Sequence, residues 1–391
     1  MTSTPRFPLA TSTWDDAEHD ALQSVIASGR FTMGPQVRAF EEEFAAFVGA
    51  RHAVMVNSGS SANLIALAAA VASPDVELAP GDEVIVPAVS WATTYYPVHQ
   101  LGLRLRFVDI DPATLNIDVA QVEAAITERT KAVLVVNLLG NPADLVAIGA
   151  LAEARGLVVI EDNCESLGAT LDGRQAGTFG LAGTYSSFFS HHISTMEGGL
   201  VVTDDEYLYQ AAMSLRAHGW TRELPSDNLV HPKSGDVWDD LFRFVLPGYN
   251  VRPLEMSGAL GRAQLTKLPG LVAGRRANAA TFVEMFGDRD DLRLQAENGE
   301  SSWFGFAVTL TGRLAGRRRD VVRALDAAGI ESRPVVAGNF TRNPVMRHLD
   351  AVVPDALPAA DDIHENGLFV GNHHYPIHAE LQHLRDVIDA V

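Results

Sequence analysis

The chain has 391 residues, 47% apolar and 20% charged, which favours two folded domains and argues against extended disorder. Its 30 Lys and Arg residues against 49 Asp and Glu residues leave a net charge of −19, which disfavours nucleic acid and anionic membranes as partners. We expect a cytoplasmic protein, because the N-terminal residues lack an apolar signal core and no apolar run approaches the roughly 18 residues of a membrane span. The single cysteine, Cys164, excludes an intrachain disulfide and a four-cysteine iron–sulfur cluster.

Residues 1–30 are expected to form an N-terminal arm. Apolar residues at helical spacing in the next segment predict an amphipathic helix. Short Val- and Ile-rich runs then alternate with helix-like segments such as 145–154, which predicts a mostly parallel sheet with helices on both faces. The predicted strands are residues 53–56, 83–89, 105–110, 132–138 and 157–162, followed by apolar runs at 186–189 and 200–203.

The pattern changes after Pro247 and Pro253. A long helix-like stretch at 255–268 is followed by an apolar run, FGFAVTL, and by a helix-like C-terminal segment, which together indicate a smaller α+β domain. We therefore expect a large domain at 31–250 and a small C-terminal domain at 251–391.

Four polar motifs lie just after predicted strands, where open α/β sheets bind their ligands. In the first, NSGSSAN at 57–63, small residues at a helix start would present backbone N–H groups and hydroxyls to a phosphate; a Ser-capped turn would have the same sequence. In the second, Trp91 could stack on an aromatic ligand or simply pack half-buried.

The third motif, EDNCES at 161–166, ends an apolar strand with a carboxylate, Asp162. A buried carboxylate needs a partner, and a protonated heteroaromatic nitrogen would be one; a helix-capping role is the alternative. The fourth motif, SSFFSHHISTMEGG at 186–199, contains His191 and His192. Adjacent side chains point in different directions, so we expect no metal site there.

Together with VSW at 89–91 and GYNVRPLEMSGALG at 248–261, these motifs resemble the DegT-type sugar-nucleotide aminotransferases, in the same order over nearly the whole chain. The resemblance implies the aspartate-aminotransferase (fold-type I) architecture, a three-layer, mostly parallel α/β sheet with a smaller C-terminal α+β domain. It also implies that the large domain binds pyridoxal 5′-phosphate.

Ordinary members of this family carry the cofactor-binding Lys six residues before the Glu of Glu-Gly-Gly, and here His191 occupies that position. The only lysines, Lys131, Lys233 and Lys267, lie in other predicted elements. Without that Lys, no covalent link to the cofactor aldehyde forms in the ordinary way. The replacement is similar to that of the sugar 3-dehydratase branch, whose iron–sulfur members are excluded here by the cysteine count.

The resemblance implies roles for individual residues of this sequence. His191 would be the catalytic acid and base. Asn250 would reach the cofactor phosphate across a subunit interface, in a homodimer with shared active sites. The expected cofactor-binding residues on the same chain are Ser58, Gly59, Ser60, Trp91, Asp162 and Ser186, and weaker candidates for contacts with the sugar nucleotide or glutamate are Arg216, His218, Arg252 and Arg333.

The implied activity is C3 dehydration of GDP-4-keto-6-deoxy-D-mannose to GDP-4-keto-3,6-dideoxymannose, a step of deoxysugar (colitose, O-antigen) biosynthesis. L-Glutamate would convert pyridoxal phosphate to pyridoxamine 5′-phosphate, and ammonia would be released. Two alternatives remain at this point: an aminotransferase or 3-dehydratase for another nucleotide sugar, and a non-catalytic regulator that binds the cofactor.

Overall fold

The computed structural model describes residues 5–391, so residues 1–4 of the predicted arm lie outside the described part. The large sheet has eight strands in the order β1-β9-β8-β5-β4-β2-β3-β13, and only β9 runs antiparallel to its neighbours. The strands are β1 His52–Val56, β2 Glu83–Pro87, β3 Arg104–Val108, β4 Thr130–Val136, β5 Val158–Asp162, β8 Ala182–Ser186, β9 Gly199–Thr203 and β13 Ala351–Val352. Thr170–Leu171 (β6) and Arg174–Gln175 (β7) form a separate two-stranded sheet.

Helices cover both faces of this sheet, as the alternating pattern predicted. One face packs against α3, α4 and α7, and the other packs against α5 and α6. The helices of the N-terminal two thirds are α1 Asp16–Ser28, α2 Pro35–Val48, α3 Gly59–Ala72, α4 Ala92–Gln100, α5 Val119–Ala125, α6 Leu145–Arg155, α7 Glu206–Leu215 and α8 Val237–Asp240, with a 3₁₀ turn at Leu138–Gly140.

A four-stranded antiparallel sheet, in the order β10-β11-β14-β12, forms the core of the C-terminal part together with α9, α10 and α12. This confirms the predicted fold class. The elements are α9 Glu255–Phe286, β10 Leu292–Leu294, β11 Gly305–Leu310, α10 Arg318–Ala327, β12 Ser332–Arg333, α11 Pro358–Asn366, β14 Gly367–Gly371 and α12 His378–Asp389, with 3₁₀ turns at Gly312–Leu314, Phe340–Arg342 and Pro344–His348.

Helix α9 is longer than the predicted stretch at 255–268, because it continues through Pro269 to Phe286. Proline inside a helix removes one backbone hydrogen bond and normally ends the helix. Here Leu268 and Val272 are buried on either side of it, and packing against both cores compensates for the lost bond. The helix therefore connects the two parts of the molecule as one rigid element.

The N-terminal segment is packed rather than free over its described residues. Phe7 is fully buried in the C-terminal core and forms a backbone bridge with Ile330. The pairing of β13 with β3 likewise brings a C-terminal segment into the large sheet. The domain limits near residues 30 and 250 therefore stay a prediction, since both outer segments cross them.

No helix within residues 5–391 combines the length and apolarity that crossing a bilayer requires.

One buried carboxylate connects the start of β2 to neighbouring segments of the large sheet. Glu83 is fully buried at the start of β2, 2.7 Å from Arg106 and 3.0 Å from Arg129, and it accepts a hydrogen bond from Thr127. Burial raises the pKa of Glu83, but the hydrogen bonds and charges of these partners outweigh it and hold the pKa at about 2. The folded state therefore binds this proton less readily than the unfolded chain.

Glu83→Gln is expected to destabilise the protein by about 3 kcal/mol at neutral pH, because the folded pKa of about 2 lies below the ordinary value of 4.5. This contribution is present above the unfolded pKa and is lost as the pH falls towards the folded one, so the difference from wild type should shrink in acid. Urea unfolding at several pH values measures it. Glu77→Gln is the control, since Glu77 is exposed and 3.7 Å from Lys131; an equal effect of both changes would contradict the prediction.

Candidate active site

A cavity of about 400 Å³ lies between the carboxyl edge of the large sheet and the C-terminal part. It collects the ends of several elements because parallel strands finish at the same edge. The predicted residues that line it are Ser58, Gly59, Ser60, Trp91, Asp162, Ser186 and His191. Cys164, Glu165, Glu197, Phe304 and Val336 line it too, although no binding role was predicted for them.

The start of helix α3 forms one wall of this cavity. Ser58 is the N-cap, and its hydroxyl accepts the N–H of Ser61 at 3.1 Å. The backbone N–H groups of the first helical residues have no partner within a helix, and they carry the positive end of its dipole. This wall has the groups that a phosphate requires.

Gly59 lies where the helix start touches the end of β8. A Cβ atom at this position would be 2.7 Å from Ser186 Cβ and 2.8 Å from Cys164 Sγ. The absence of a side chain therefore permits the contact between the helix start and the strand end.

Asp162 ends β5 with its side chain turned to the cavity, although it is only 6% exposed. Its Oδ2 accepts hydrogen bonds from Asn63 and Thr94, both at 2.8 Å. Within residues 5–391, its Oδ1 accepts one backbone N–H, that of Cys164, at 3.3 Å. The Oδ1 atom keeps the capacity for a further donor, as the predicted pairing with a protonated ring nitrogen requires.

Trp91 lies at the opposite side of the strand edge, directly before helix α4. It is 58% exposed and lines the cavity. Thr94, which contacts Asp162, follows within the first turn of the same helix. One helix start therefore presents both an open aromatic face and a hydroxyl to the site.

His191 lies in the loop between β8 and β9, with both ring nitrogens buried and without a hydrogen-bond partner in residues 5–391. Phe188 and Phe304 contact its ring edge-on, with centroids at 6.0 and 5.1 Å. Burial, with a smaller contribution from the charge of Arg275, lowers the pKa of His191 to about 3. The imidazole is therefore neutral at physiological pH, and one of its ring nitrogens carries a free lone pair.

Contacts from distant segments hold the loop that carries His191. The Trp14 indole N–H donates to the backbone carbonyl of Ser194, at 3.2 Å, and the Ser194 N–H donates to the Gln264 side chain, at 3.0 Å. The N-terminal segment and helix α9 therefore fix the loop from opposite ends of the sequence.

His192 points away from the cavity, as adjacent residues were expected to differ. It is fully buried, and its Nε2 lies 3.1 Å from the Ser302 carbonyl oxygen. A change at His192 would remove that contact within the core, so it would affect stability.

Glu165 is a second carboxylate at the cavity. Burial, opposed by a hydrogen bond from the Leu139 N–H and assisted by the Asp162 charge, raises its pKa from 4.5 to about 7. Glu165 therefore exchanges a proton near neutral pH beside an ionisable partner. The motif EDNCES contained it, but only the tertiary structure shows that it faces the cavity.

Asn250 and Arg252 do not reach this cavity on the same chain. Both are exposed and line a separate cavity of about 400 Å³ with Trp220 and Arg222. Arg252 Nε donates to the Asn250 side chain at 3.2 Å. A contact of Asn250 with the cofactor on its own chain is not formed, and the predicted contact across a subunit interface stays a prediction.

The three remaining candidates lie elsewhere. Arg216 is 3% exposed and pairs with Glu41 and Glu223, which favours a structural role over the predicted contact with substrate. His218 is exposed with a left-handed backbone, φ 66°. Arg333 is exposed at a groove of the C-terminal part. None of these side chains lines the cavity that holds Asp162 and His191.

The residues present fit pyridoxal phosphate. The aromatic ring of the cofactor would stack on Trp91, and its ring nitrogen would donate to Oδ1 of Asp162. Its phosphate would accept hydrogen bonds from the start of α3. The two unpartnered nitrogens of His191 remain for a reacting group. A metal or an iron–sulfur cluster is not needed to complete any of these contacts.

Comparisons with known proteins agree with this geometry. The profile of the DegT/DnrJ/EryC1/StrS aminotransferase family matches residues 13–391. GDP-4-keto-6-deoxy-D-mannose 3-dehydratase of Yersinia pseudotuberculosis is 52% identical over 384 residues, covering 98% of each chain.

Two solved structures are similar over the whole chain. Escherichia coli GDP-4-keto-6-deoxy-D-mannose-3-dehydratase with bound hydrated PLP has a TM-score of 0.96 and 52% identity, covering 98% of this chain and 99% of that one. GDP-4-keto-6-deoxymannose-3-dehydratase with a trapped PLP-glutamate geminal diamine has a TM-score of 0.95 and 52% identity, covering 98% and 100%.

Gly59→Ala is expected to weaken pyridoxal phosphate binding by at least tenfold, because the new Cβ would displace the start of α3 from Ser186 and Cys164. Spectrophotometric titration of the ligand-free protein measures the dissociation constant. Gly149→Ala in helix α6 is the control, since nothing lies within 4 Å of a Cβ there. Wild-type affinity in Gly59→Ala would mean that the helix start does not hold the phosphate.

Proposed function

Since the chain belongs to the DegT/DnrJ/EryC1/StrS aminotransferase family, we propose that it catalyses the C3 dehydration of GDP-4-keto-6-deoxy-D-mannose to GDP-4-keto-3,6-dideoxymannose. L-Glutamate is the amino donor, and the nitrogen leaves as ammonia. The observation that carries the proposal is the neutral, unpartnered imidazole of His191 in a cavity that also holds Asp162. The relatives at 52% identity that carry this name support the substrate.

The cofactor is bound without a covalent link to the chain. Lys131 and Lys267 are engaged in ion pairs with Glu77 and Glu18, and Lys233 lies in a surface segment. None of the three lines the cavity. Ser58, Gly59, Ser60 and Ser186 would bind the phosphate, and Trp91 would stack on the ring.

When bound, pyridoxamine phosphate supplies an amine that condenses with the C4 ketone and a ring that accepts electrons. Asp162 keeps the ring nitrogen protonated through its Oδ1 atom, which maintains that capacity. His191 takes a proton from the C4′ carbon of the cofactor and gives a proton to the departing C3 hydroxyl. The low pKa of about 3 makes its neutral form the resting form and its protonated form a strong acid.

Water must have limited access to this proton transfer. Phe188 and Phe304 flank the His191 ring on two sides. Phe304 comes from the C-terminal part, so both parts of the molecule contribute to the apolar surroundings of this ring. The reacting hydroxyl, when substrate binds, would meet His191 in surroundings that exclude bulk water.

A homodimer would supply the remaining phosphate contact from Asn250. The cavity beside Asn250 contains Trp220, whose ring stacks on Phe242 and lies near Phe244. These phenylalanines are 67% and 55% exposed, and exposed aromatic clusters of this kind mark surfaces that a partner covers. Arg252 and His218, beside this surface, are then candidates for the sugar nucleotide of the partner's site.

The activity is tested with GDP-4-keto-6-deoxy-D-mannose and L-glutamate, followed by mass spectrometry of the sugar and an ammonia assay. We expect a product that has lost the C3 oxygen, with one ammonia released for each glutamate consumed. A sugar that retains nitrogen would identify an aminotransferase. A dTDP-4-keto-6-deoxy sugar converted in preference would identify a dehydratase for another nucleotide sugar, and cofactor binding without turnover would identify a regulator.

His191→Asn is expected to bind pyridoxal phosphate with near wild-type affinity but to lose at least about 10²-fold in its glutamate-dependent conversion, because a proton-transfer group typically contributes about 10²–10⁴-fold. Stopped-flow absorbance of the bound cofactor measures the conversion. His192→Asn is the comparison, because the His192 ring does not line the cavity; it is hydrogen-bonded to the Ser302 carbonyl and lies 5.8 Å from the Phe304 ring. It should lower the melting temperature and retain the half-reaction.

His191→Lys should differ from both. An amine at this position can bond to the cofactor aldehyde, so borohydride should fix the cofactor to the chain in His191→Lys and not in wild type. If His192→Asn lost the glutamate half-reaction while His191→Asn retained it, the base would have been assigned to the wrong histidine.

A further inference from the structure

The Asp162 carboxylate is bound asymmetrically. Both of its side-chain hydrogen bonds, from Asn63 Nδ2 and Thr94 Oγ1 at 2.8 Å, go to the same oxygen, Oδ2. The donors come from different elements, since Asn63 lies in α3 and Thr94 in the first turn of α4. Two independent helices therefore converge on one carboxylate oxygen.

Each of these two donor side chains is itself hydrogen-bonded to the hydroxyl group of another residue. The Asn63 Oδ1 atom accepts a short hydrogen bond from Thr184, the residue beside Asp162 in the neighbouring strand. Thr94 Oγ1 lies 2.8 Å from Ser90 Oγ, and because the Thr94 proton goes to Asp162, Ser90 is the donor in that pair. Two chains of hydrogen bonds therefore end at Asp162, one from Thr184 through Asn63 and one from Ser90 through Thr94. Each hydrogen bond in such a chain polarises the next one.

These side chains are sealed from water. Asn63 is 2% exposed, and Thr94 and Thr184 are fully buried. A buried carboxylate is ionised only where donors replace the lost hydration. These hydrogen bonds supply donors at Oδ2, while Oδ1 accepts one backbone N–H at 3.3 Å from the described residues and keeps the capacity for a donor from the cavity.

We propose that Asn63 and Thr94 are positioning residues that hold Asp162 through its Oδ2, direct its Oδ1 at the cofactor ring nitrogen and so set the protonation of that nitrogen. This rests on the proposed function, in which pyridoxal phosphate occupies the cavity. Neither residue contacts the cofactor or the substrate in this role; both act through Asp162.

The direction of the effect follows from acid–base competition. The ring nitrogen and Asp162 share one proton. Removing a donor from Oδ2 takes away a hydrogen bond that stabilises the carboxylate, so the shared proton should move away from the ring nitrogen. Because the bond lost is one to a charged group in a buried site, the equilibrium should shift by about tenfold or more.

The test uses 15N NMR of the holoprotein reconstituted with pyridoxal phosphate labelled at the ring nitrogen, which reports protonation without turnover. Wild type should give the resonance of a protonated nitrogen. In Thr94→Val, which keeps the shape and removes the hydroxyl, the resonance should move towards the unprotonated value. Thr94→Ser, which restores a hydroxyl, should return it to the wild-type position.

Asn63→Leu should move the resonance in the same direction as Thr94→Val. Asn116→Leu is the matched control, because Asn116 is also a buried amide with several hydrogen bonds, to Asn141, Pro142 and Leu138, and does not touch Asp162. It should destabilise the protein and leave the resonance unchanged. If Asn63→Leu does not fold, the pair at Thr94 decides the question alone.

A wild-type resonance in Thr94→Val would overturn the inference while leaving the proposed function intact. An unprotonated nitrogen in wild type would instead overturn the assignment of Asp162. Failure of wild type to bind the cofactor would overturn the proposed function, and the three outcomes are distinct.

Discussion

Strand β5 ends with two consecutive buried carboxylates, Glu161 and Asp162, which point to opposite faces of the sheet. Hydrogen-bond donors from the surrounding elements replace the hydration that these carboxylates lose on burial. Glu161 is fully buried and receives backbone N–H groups from Gly177, Phe179 and Gly180, so it is satisfied within the protein. Asp162, one residue later, points to the opposite face as strand alternation requires. It has one oxygen satisfied and one that faces a cavity. A ligand with a positive charge at that point completes the arrangement.

The other groups of the site are arranged around this charge by packing. Helix α3 brings a phosphate-binding end and a donor to Asp162 together, because both lie within its first turns. Helix α4 does the same for Trp91 and Thr94. The absence of a Cβ at Gly59 permits the close contact that fixes α3 on the sheet. In the proposed function, the starts of these two helices would therefore hold the phosphate and the ring of the cofactor.

The histidine at position 191 gives this site a different chemistry from that of a lysine enzyme. A lysine would be mostly protonated near neutral pH or bonded to the cofactor aldehyde. The imidazole of His191, buried between two aromatic rings, stays neutral and free. In the proposed function, the cofactor therefore stays without a covalent bond to the chain, and His191 would supply the proton that the departing C3 hydroxyl requires.

The sequence alone determined the local and periodic features: the five Val- and Ile-rich strands, the amphipathic α2, the Ser-capped start of α3, and His191 in place of a lysine. These follow from short-range patterns, because strand alternation and helix capping depend on neighbouring residues. Only the tertiary structure showed the hydrogen bonds that connect Asn63, Thr94 and Thr184 to Asp162, and the exposure of Glu165 and Phe304 to the cavity. It also showed that Arg216 forms ion pairs with Glu41 and Glu223. Helix α9 continues through Pro269, which the sequence did not predict. Those contacts join residues distant in the chain, and their free energy depends on burial, which no local pattern encodes.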